Sequence, residues 1–179
     1  MTWQLDKSHS AIGFAVRHMM MSTVRGSFGA FRVDADIDPA APARGRVRVE
    51  IEAASVDTGD EKRDGHLRSA DFFDAVAHPV ITFTSTAIEP RGGKMYAIRG
   101  DLTIRGTTKP VTVDAELHGQ RPGLSGGLVA GLSASASIDR RDFGLVWNVP
   151  LEGSGVLVGE SVKLEIDLEL VQQAVAPAA

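Results

Sequence analysis

The 179-residue sequence contains no cysteine, only one tyrosine, and no long hydrophobic run. The absence of cysteine excludes thiolate catalysis, disulfide bonds and cysteine-ligated zinc. No segment approaches the run of about 18 apolar residues that predicts a membrane span. The first residues, MTWQLDKSHS, also lack the basic and apolar segments of a secretory signal. We therefore expect a cytoplasmic protein.

Acidic residues outnumber basic ones, 23 to 19. The formal net charge is -4, and the lysines and arginines are scattered, so no basic face for a nucleic acid is predicted. Hydrophobic residues make up 43% and charged residues 23% of the chain, which is typical of a globular protein with an ordinary core. We predict one domain over residues 1–171, followed by a flexible tail at 172–179.

Alternation of apolar and polar residues dominates the sequence. It is clearest in RVRVEIE (46–52), VTVDAELH (111–118) and SVKLEIDLELV (161–171). Weaker runs of the same kind occupy 12–16, 31–37, 80–88, 95–105 and 128–138. A period of two places one face on a core and the other in water, as in antiparallel sheets. About eight such strands at short spacing predict a sandwich or a barrel.

One helix is predicted over residues 59–70. Thr58 and Glu61 have the spacing of a capping box, and acidic residues fill the first turn, where the helix dipole favours them. The middle of this segment is charged, so the helix is expected to lie on the surface of the protein.

The inward face of the predicted barrel decides whether the barrel is full or hollow. An eight-stranded barrel is just wide enough to pack its own side chains or to hold one small ligand. Half of the inner set predicted for the strand at 128–138 is alanine: Leu128, Ala130, Leu132, Ala134, Ala136 and Ile138. Small inner residues either fit the taper of a packed barrel or leave an apolar tunnel. Both interpretations stay open at this point.

Motifs for catalysis, nucleotides or metals are weak. GLSGG at 123–127 matches G-x-S-x-G, but a nucleophile elbow needs a following helix and the next residues predict a strand. The five histidines form no H-x-H or H-x-x-x-H pair, so no metal site and no cofactor are predicted. Convergence of His18 and His66 in the folded chain is the one metal arrangement left open.

Three successive methionines stand in HMMMSTVRG at 18–26. Methionine adapts to irregular apolar partners, including ligands. These residues therefore either fill a corner of the core or contribute to a binding site.

Several long blocks resemble the YceI-like family of bacterial polyisoprenoid-binding proteins, and the resemblance covers residues 3–171. In chain order the blocks are WQLDKSHSAIGFAVRH (3–18), STVRGSFGAF (22–31), ASVDTGDEKRDGHLRSADFFD (54–74), HPVITFTST (78–86), GDLTIRGTTKPV (100–111), RRDFG (140–144) and VKLEIDLEL (162–170). The resemblance implies an all-β fold, an eight-stranded antiparallel lipocalin-like barrel with one or two short helices. It implies an internal apolar tunnel for an isoprenoid, and it carries over no catalytic residue.

Within such a barrel, aromatic, aliphatic and methionine side chains are predicted to line the tunnel. The predicted lining is Phe14, Val16, Met19, Met20, Phe31, Val33, Leu67, Phe72, Phe73, Phe83, Leu132, Ala134, Phe143, Trp147, Leu164 and Ile166. Three of them follow or end the helix, and we call Leu67, Phe72 and Phe73 the clasp. The clasp is expected to cover part of the tunnel mouth.

Five polar residues are predicted at this mouth, where they would meet a ligand headgroup: Arg17, His18, His66, Arg68 and Asp71. A local network of salt bridges at the end of the helix is the alternative role for these charges, because exposed ion pairs commonly do no more.

The main hypothesis is non-enzymatic carriage or sequestration of an isoprenoid or another long-chain lipid. The alternative is an enzyme acting on a lipid-like small molecule, with His18, His66 and Asp71 as acid and base groups converging beside a cavity. A third possibility is an oligomeric interaction module without a ligand. A homodimer is then the expected oligomer, because homodimers are the most frequent oligomers of soluble proteins.

Overall fold

The computed structural model describes residues 2–38, 41–124 and 126–172, so positions 173–179 of the predicted tail lie outside the described residues. Gln172, predicted as the first residue of that tail, ends the last strand. The elements in chain order are β1 (Thr2–His18), β2 (Ser22–Phe28), β3 (Phe31–Asp36), β4 (Arg46–Glu52), β5 (Val56–Asp57), α1 (Glu61–Arg68), β6 (Val80–Gly92), β7 (Met95–Ile104), β8 (Thr107–Pro122), β9 (Leu128–Asp139) and β10 (Val158–Gln172). Short 3-10 turns lie at Pro42–Arg44, Ala53–Ser55 and Arg140–Phe143.

The strands form one antiparallel sheet that closes on itself. Eight strands follow one another around the ring in the order β1, β3, β4, β6, β7, β8, β9 and β10, and β10 pairs back with β1. β2 runs along the second half of β1, and the short β5 pairs with the end of β2. The predicted all-β, eight-stranded antiparallel barrel with a short helix is therefore confirmed.

The sequence alternation also predicts which side chains point inward. In β10, Leu168 and Leu170 are buried while Lys163 and Asp167 are exposed. In β9, every member of the inner set predicted for 128–138 packs in or against a hydrophobic cluster. The period of two thus places one face of each strand in the core.

The helix α1 is two residues shorter at each end than predicted, and its cap differs from the prediction. Asp60 is the N-cap, and its side chain accepts a hydrogen bond from the backbone N–H of Arg63 at 3.0 Å. The hydroxyl of Thr58 instead donates to the buried carboxylate of Asp64 at 2.6 Å. The predicted pairing of Thr58 with Glu61 is wrong because Asp60, a strong capping residue, stands directly before the helix.

Three hydrophobic clusters fill the interior. The first is built mainly from large side chains, among them Phe28, Phe72 and Phe143. The second contains the small residues Ala115 and Ala136 beside isoleucines and valine. The third surrounds Trp3 with Ala35 and Leu170. Large and small side chains are therefore segregated along the barrel.

One glycine of β7 is required by close packing. A Cβ atom on Gly100 would lie 2.5 Å from the ring of Phe83 and 2.5 Å from the carbonyl oxygen of Thr84. We predict that Gly100→Ala lowers the free energy of unfolding by about 1–3 kcal/mol, because the strand and the ring must move apart. Urea denaturation measures this loss.

Gly65→Ala in α1 is the matched control, since its new Cβ meets no atom within 4 Å. This change should leave the free energy of unfolding unchanged or raise it by up to about 1 kcal/mol. The packing argument fails if Gly100→Ala is as stable as the native chain, or if both variants lose stability equally.

Candidate ligand-binding cavity

An internal cavity of about 170 Å³ lies in the half of the barrel that holds the end of β1, the beginning of β10 and the helix. Strands of the ring contribute alternate residues to its wall, and α1 with the loops around it covers one side. The cavity is partly open to the outside. It therefore has the position of a binding site within the mouth of a β-barrel.

The wall of the cavity is hydrocarbon. Apart from Gly13, the Arg140 side chain is the one lining group among the described residues that is not apolar. Its polar atoms are turned to backbone carbonyls, as described below, so the wall presents apolar surface. Such a cavity can accept a hydrocarbon chain, but it cannot compensate a polar group for the loss of its hydration.

The cavity does not lie beside the small inner residues that suggested free space in the sequence. The lining belongs almost entirely to the first cluster, which is built from large side chains. Two of the alanines that suggested an open tunnel, Ala134 and Ala136, pack against or within the second cluster. Small inner residues such as Ala136 therefore do not form the wall of this cavity, which large rings and branched side chains line instead.

The clasp borders the cavity. The ring of Phe73 packs edge-on against Phe28 with centroids 5.7 Å apart, and Phe28 contacts Phe14 at 5.7 Å. Arg105, in the turn after β7, donates to the carbonyl oxygen of Phe72 at 3.1 Å. Aromatic contacts and this hydrogen bond hold the clasp against the barrel.

Nine of the predicted lining residues border the cavity: Phe14, Val16, Leu67, Phe72, Phe73, Phe83, Phe143, Leu164 and Ile166. Thirteen further apolar residues border it without having been predicted: Ile12, Phe28, Val49, Ile51, Ile81, Leu102, Ile104, Val111, Ile138, Leu145, Val158, Val162 and Leu168. Most of these extend the same inner faces of the strands. The alternation that identified the strands could therefore have found them.

The other predicted lining residues lie elsewhere. Phe31 and Trp147 pack against the first cluster without bordering the cavity. Val33 is buried on β3, and Leu132 and Ala134 pack against the second cluster. None of these five side chains borders the cavity, which occupies only part of the barrel.

Met19 and Met20 are placed outside the cavity, contrary to the prediction. Both lie in the turn between β1 and β2, where their side chains are 42% and 64% exposed. Their φ angles are 51° and 59°, in the left-handed region that non-glycine residues rarely adopt. Their backbones form the turn, so their side chains leave the barrel wall and point away from the interior.

The predicted mouth residues form two separate groups. His66 Nε2 lies 2.8 Å from Asp71 Oδ2, and the His66 ring packs edge-on against Trp147 with centroids 4.6 Å apart. Arg68 donates to the carbonyl oxygen of Ala54 at 3.1 Å and pairs with Glu61 at 3.2 Å. These three predicted residues thus take part in a local network around the end of α1.

Arg17 and His18 lie at the end of β1. Arg17 donates to the carbonyl oxygen of Met20 at 3.2 Å and to the hydroxyl of Thr23 at 3.3 Å, so it supports the turn. Among the described residues, His18 has no hydrogen bond or ion pair with His66 or Asp71. The His18, His66 and Asp71 arrangement that the enzyme hypothesis needs is therefore absent from the described structure.

Arg140 is the site residue that sequence reasoning missed. Its side chain is 4% exposed, and its guanidinium donates to the carbonyl oxygens of Leu145 (2.6 Å), Trp147 (2.9 Å) and Val158 (3.1 Å). Its Nε donates to Gly159 at 2.8 Å. Burial lowers the pKa of Arg140. One side chain thus fastens the loop after Phe143 to the start of β10.

Removing this guanidinium should destabilise the barrel end. We predict that Arg140→Met lowers the free energy of unfolding by about 3–5 kcal/mol, because four carbonyl oxygens lose a charged donor. Urea denaturation tests this value. Arg99→Met is the control, since Arg99 is an exposed residue that pairs with Glu89 at 3.3 Å and should contribute no more than about 1 kcal/mol. A similar loss in both variants would refute the fastening role.

The neighbouring pair of Asp139 and Arg141 should make the free energy of unfolding depend on pH in the acid range. Asp139 accepts hydrogen bonds from the Arg141 guanidinium at 2.6 and 3.0 Å and from its backbone N–H at 2.9 Å. These bonds, those of the side chain first, lower the pKa of Asp139 to about 2. The resulting stabilisation is present above the unfolded pKa near 3.8 and disappears as the pH falls toward 2.

We therefore predict that Asp139→Asn is less stable than the native chain at pH 7, and that this difference shrinks as the pH falls from 4 to 2. Thermal unfolding at a series of pH values measures it. Asp114→Asn, at an exposed position of β8, is the control. A stability difference that stays constant with pH would contradict the assignment.

Comparison with known proteins places the chain in a family. Residues 3–170 match the YceI-like domain. Protein YceI of Escherichia coli O157:H7 is 38% identical over 173 residues, which cover 96% of this chain and 87% of that protein. Within the described residues, no helix has the length and hydropathy needed to cross a membrane.

Solved structures share the same fold. Burkholderia cenocepacia BcnA superimposes with a TM-score of 0.79 at 28% identity, covering 93% of this chain and 99% of that one. A polyisoprenoid binding domain from Saccharophagus degradans, implicated in plant cell wall breakdown, has a TM-score of 0.67 at 16% identity, covering 96% and 98%. The sequence match, the closed barrel and these structures show that the chain belongs to the YceI-like family.

Proposed function

We propose that this protein binds and carries an isoprenoid or another long-chain lipid in the barrel cavity. The observation that carries the proposal is the wall of the cavity, which is hydrocarbon apart from Arg140, whose nitrogens donate to backbone carbonyl oxygens. The Saccharophagus degradans domain, which has the same fold, is a polyisoprenoid binding domain. That likeness supports the same class of ligand here.

The free energy of binding would come from burying apolar surface. Each methylene transferred into the wall contributes about 0.8 kcal/mol before the cost of ordering the chain. Because the wall offers no polar partner, a headgroup would remain outside. We propose that it lies beside the clasp, where His66 contacts both Asp71 and Trp147.

The size of the cavity limits how much of a chain it holds. At about 170 Å³ it is close to an apolar cavity of about 150 Å³ that binds benzene. A short segment fits without rearrangement, and a longer chain must part the lining side chains or extend past the clasp. We therefore expect affinity to rise with chain length at first and then to level off.

The protein is proposed to act without catalysis. His66 and Asp71 form a hydrogen-bonded pair, but His18 does not join them. Among the described residues, the cavity wall carries no aspartate, glutamate or histidine. General acid–base catalysis needs such groups within hydrogen-bond reach of a bound substrate. Carriage or sequestration needs only the apolar wall.

Binding of prenyl alcohols of increasing length tests the proposal. Trp147 packs against Phe72 with centroids 5.5 Å apart, so its fluorescence should report a ligand under the clasp. The Trp3→Phe variant serves as the parent, because it removes the other tryptophan from the third cluster. We predict saturable binding of one ligand per chain, with affinity that increases over the first isoprene units.

A blocked variant and its neighbour locate the binding site. Val111 borders the cavity, while the adjacent Thr112 is exposed on the outside of β8. Val111→Phe should displace about two ligand methylenes and weaken binding roughly tenfold, since each contributes about 0.8 kcal/mol. Thr112→Phe should bind like the parent. Equal affinities for these two variants, or affinity independent of chain length, would refute binding in the cavity.

A further inference from the structure

The pairing of β1 with β10 is interrupted on the outer surface of the barrel. From Asp6 to Ala11 strand β1 advances five residues, whereas its partner advances two, from Glu169 to Asp167. Three extra residues therefore bulge out of β1. The bulge is fastened to β10 by Ser10, whose hydroxyl accepts from the Glu169 N–H at 2.9 Å. Bulges of this kind redirect side chains and occur near functional sites.

The bulge brings three metal-ligating side chains together. His9 Nδ1 lies 3.0 Å from Asp6 Oδ2 and 3.8 Å from Glu169 Oε1. All three ligand atoms lie within 4.8 Å of one another. Zinc bonds of about 2.0–2.1 Å in tetrahedral geometry place ligand atoms about 3.3–3.4 Å apart. The observed spacing therefore needs only small side-chain movements to bind such an ion.

The Asp6 carboxylate is already oriented for this role. Its Oδ1 accepts hydrogen bonds from Ser8 through the backbone N–H at 2.9 Å and the hydroxyl at 2.6 Å, which leaves Oδ2 facing His9. Asp6 therefore presents one carboxylate oxygen to His9 while Ser8 holds the other.

The sequence also places negative charges directly against each other here. Asp6 and Glu169 are cross-strand partners, and like charges in that position destabilise a sheet. On its other side Glu169 faces Gly131 of β9, which has no side chain to supply a counter-charge. A divalent cation between the two carboxylates would remove this repulsion more completely than a single imidazolium.

We propose that Asp6, His9 and Glu169 form a surface site for a divalent transition-metal ion of the zinc type. One imidazole nitrogen and two carboxylate oxygens suit Zn²⁺ and similar ions, whereas Ca²⁺ and Mg²⁺ favour oxygen ligands alone. The His9 side chain is 65% exposed, so the ion can enter from solvent and water can complete its coordination. A bound ion would clamp the bulge of β1 to β10 at the joint that closes the barrel.

Zinc titration of the untagged, chelator-treated full chain tests the site, with isothermal calorimetry as the readout. We expect one Zn²⁺ per chain and a higher melting temperature in its presence. His9→Ala and Glu169→Gln should each weaken the zinc affinity by more than about tenfold. The loss of a residue that only hydrogen-bonds to a metal ligand already weakens metal affinity by about that factor. Co²⁺ in place of Zn²⁺ should give the intense visible absorption of a four-coordinate ion.

His118→Ala is the matched control. His118 lies on β8, outside the cluster, and contacts Ser133 at 2.9 Å, so its loss should leave zinc affinity unchanged. Glu169→Gln retains the imidazole and nearly the same shape, which keeps the test valid should His9→Ala not fold, as circular dichroism would reveal. The proposal is overturned if the native chain takes up no zinc, if either ligand variant binds like the native chain, or if His118→Ala loses equal affinity. Lipid binding in the cavity does not depend on this result.

Discussion

The pairing of the first strand with the last is the interaction on which the rest of this structure depends. β1 and β10 are separated by almost the whole chain, and their hydrogen bonds turn an open sheet into a ring. Closure removes the two free edges that an eight-stranded sheet would otherwise expose. It also encloses the inner faces of both strands, and residues of each, such as Phe14 and Leu164, then border one cavity.

The interior of the ring is divided by the size of its side chains. Where alanines alternate with branched residues, as around Ala115 and Ala136, the wall packs to a dense cluster. Where phenylalanines meet, edge-on contacts such as that between Phe28 and Phe73 lie in the wall of the cavity. The cavity is therefore bordered by large side chains rather than by the small ones.

The sequence allowed the barrel to be predicted because the period of two is a local property. Strands such as β4 and β9 could be located from their own residues, and so could the inward set of β9. Both Thr58 and Asp60 could cap the helix α1 by their residue type. Asp60 does so because it stands directly before the first turn. The position of the cavity depends on contacts between distant strands. Arg140 and Arg141 are adjacent in the sequence, and nothing in the sequence indicates that Arg140 is the buried one.

Arg140 explains how a positive charge and a hydrocarbon wall can coexist. Its donors reach the carbonyl oxygens of Leu145 and Trp147 in the loop after Phe143 and that of Val158 at the start of β10. A guanidinium whose hydrogen bonds are so engaged has little to offer an incoming anion, because each new contact would have to replace one already made. The buried charge therefore holds the loop after Phe143 against β10, and the remaining wall stays apolar. Under the proposed lipid-binding function, such a wall is expected to discriminate between chains by length and thickness and to tolerate variation in the group that stays outside.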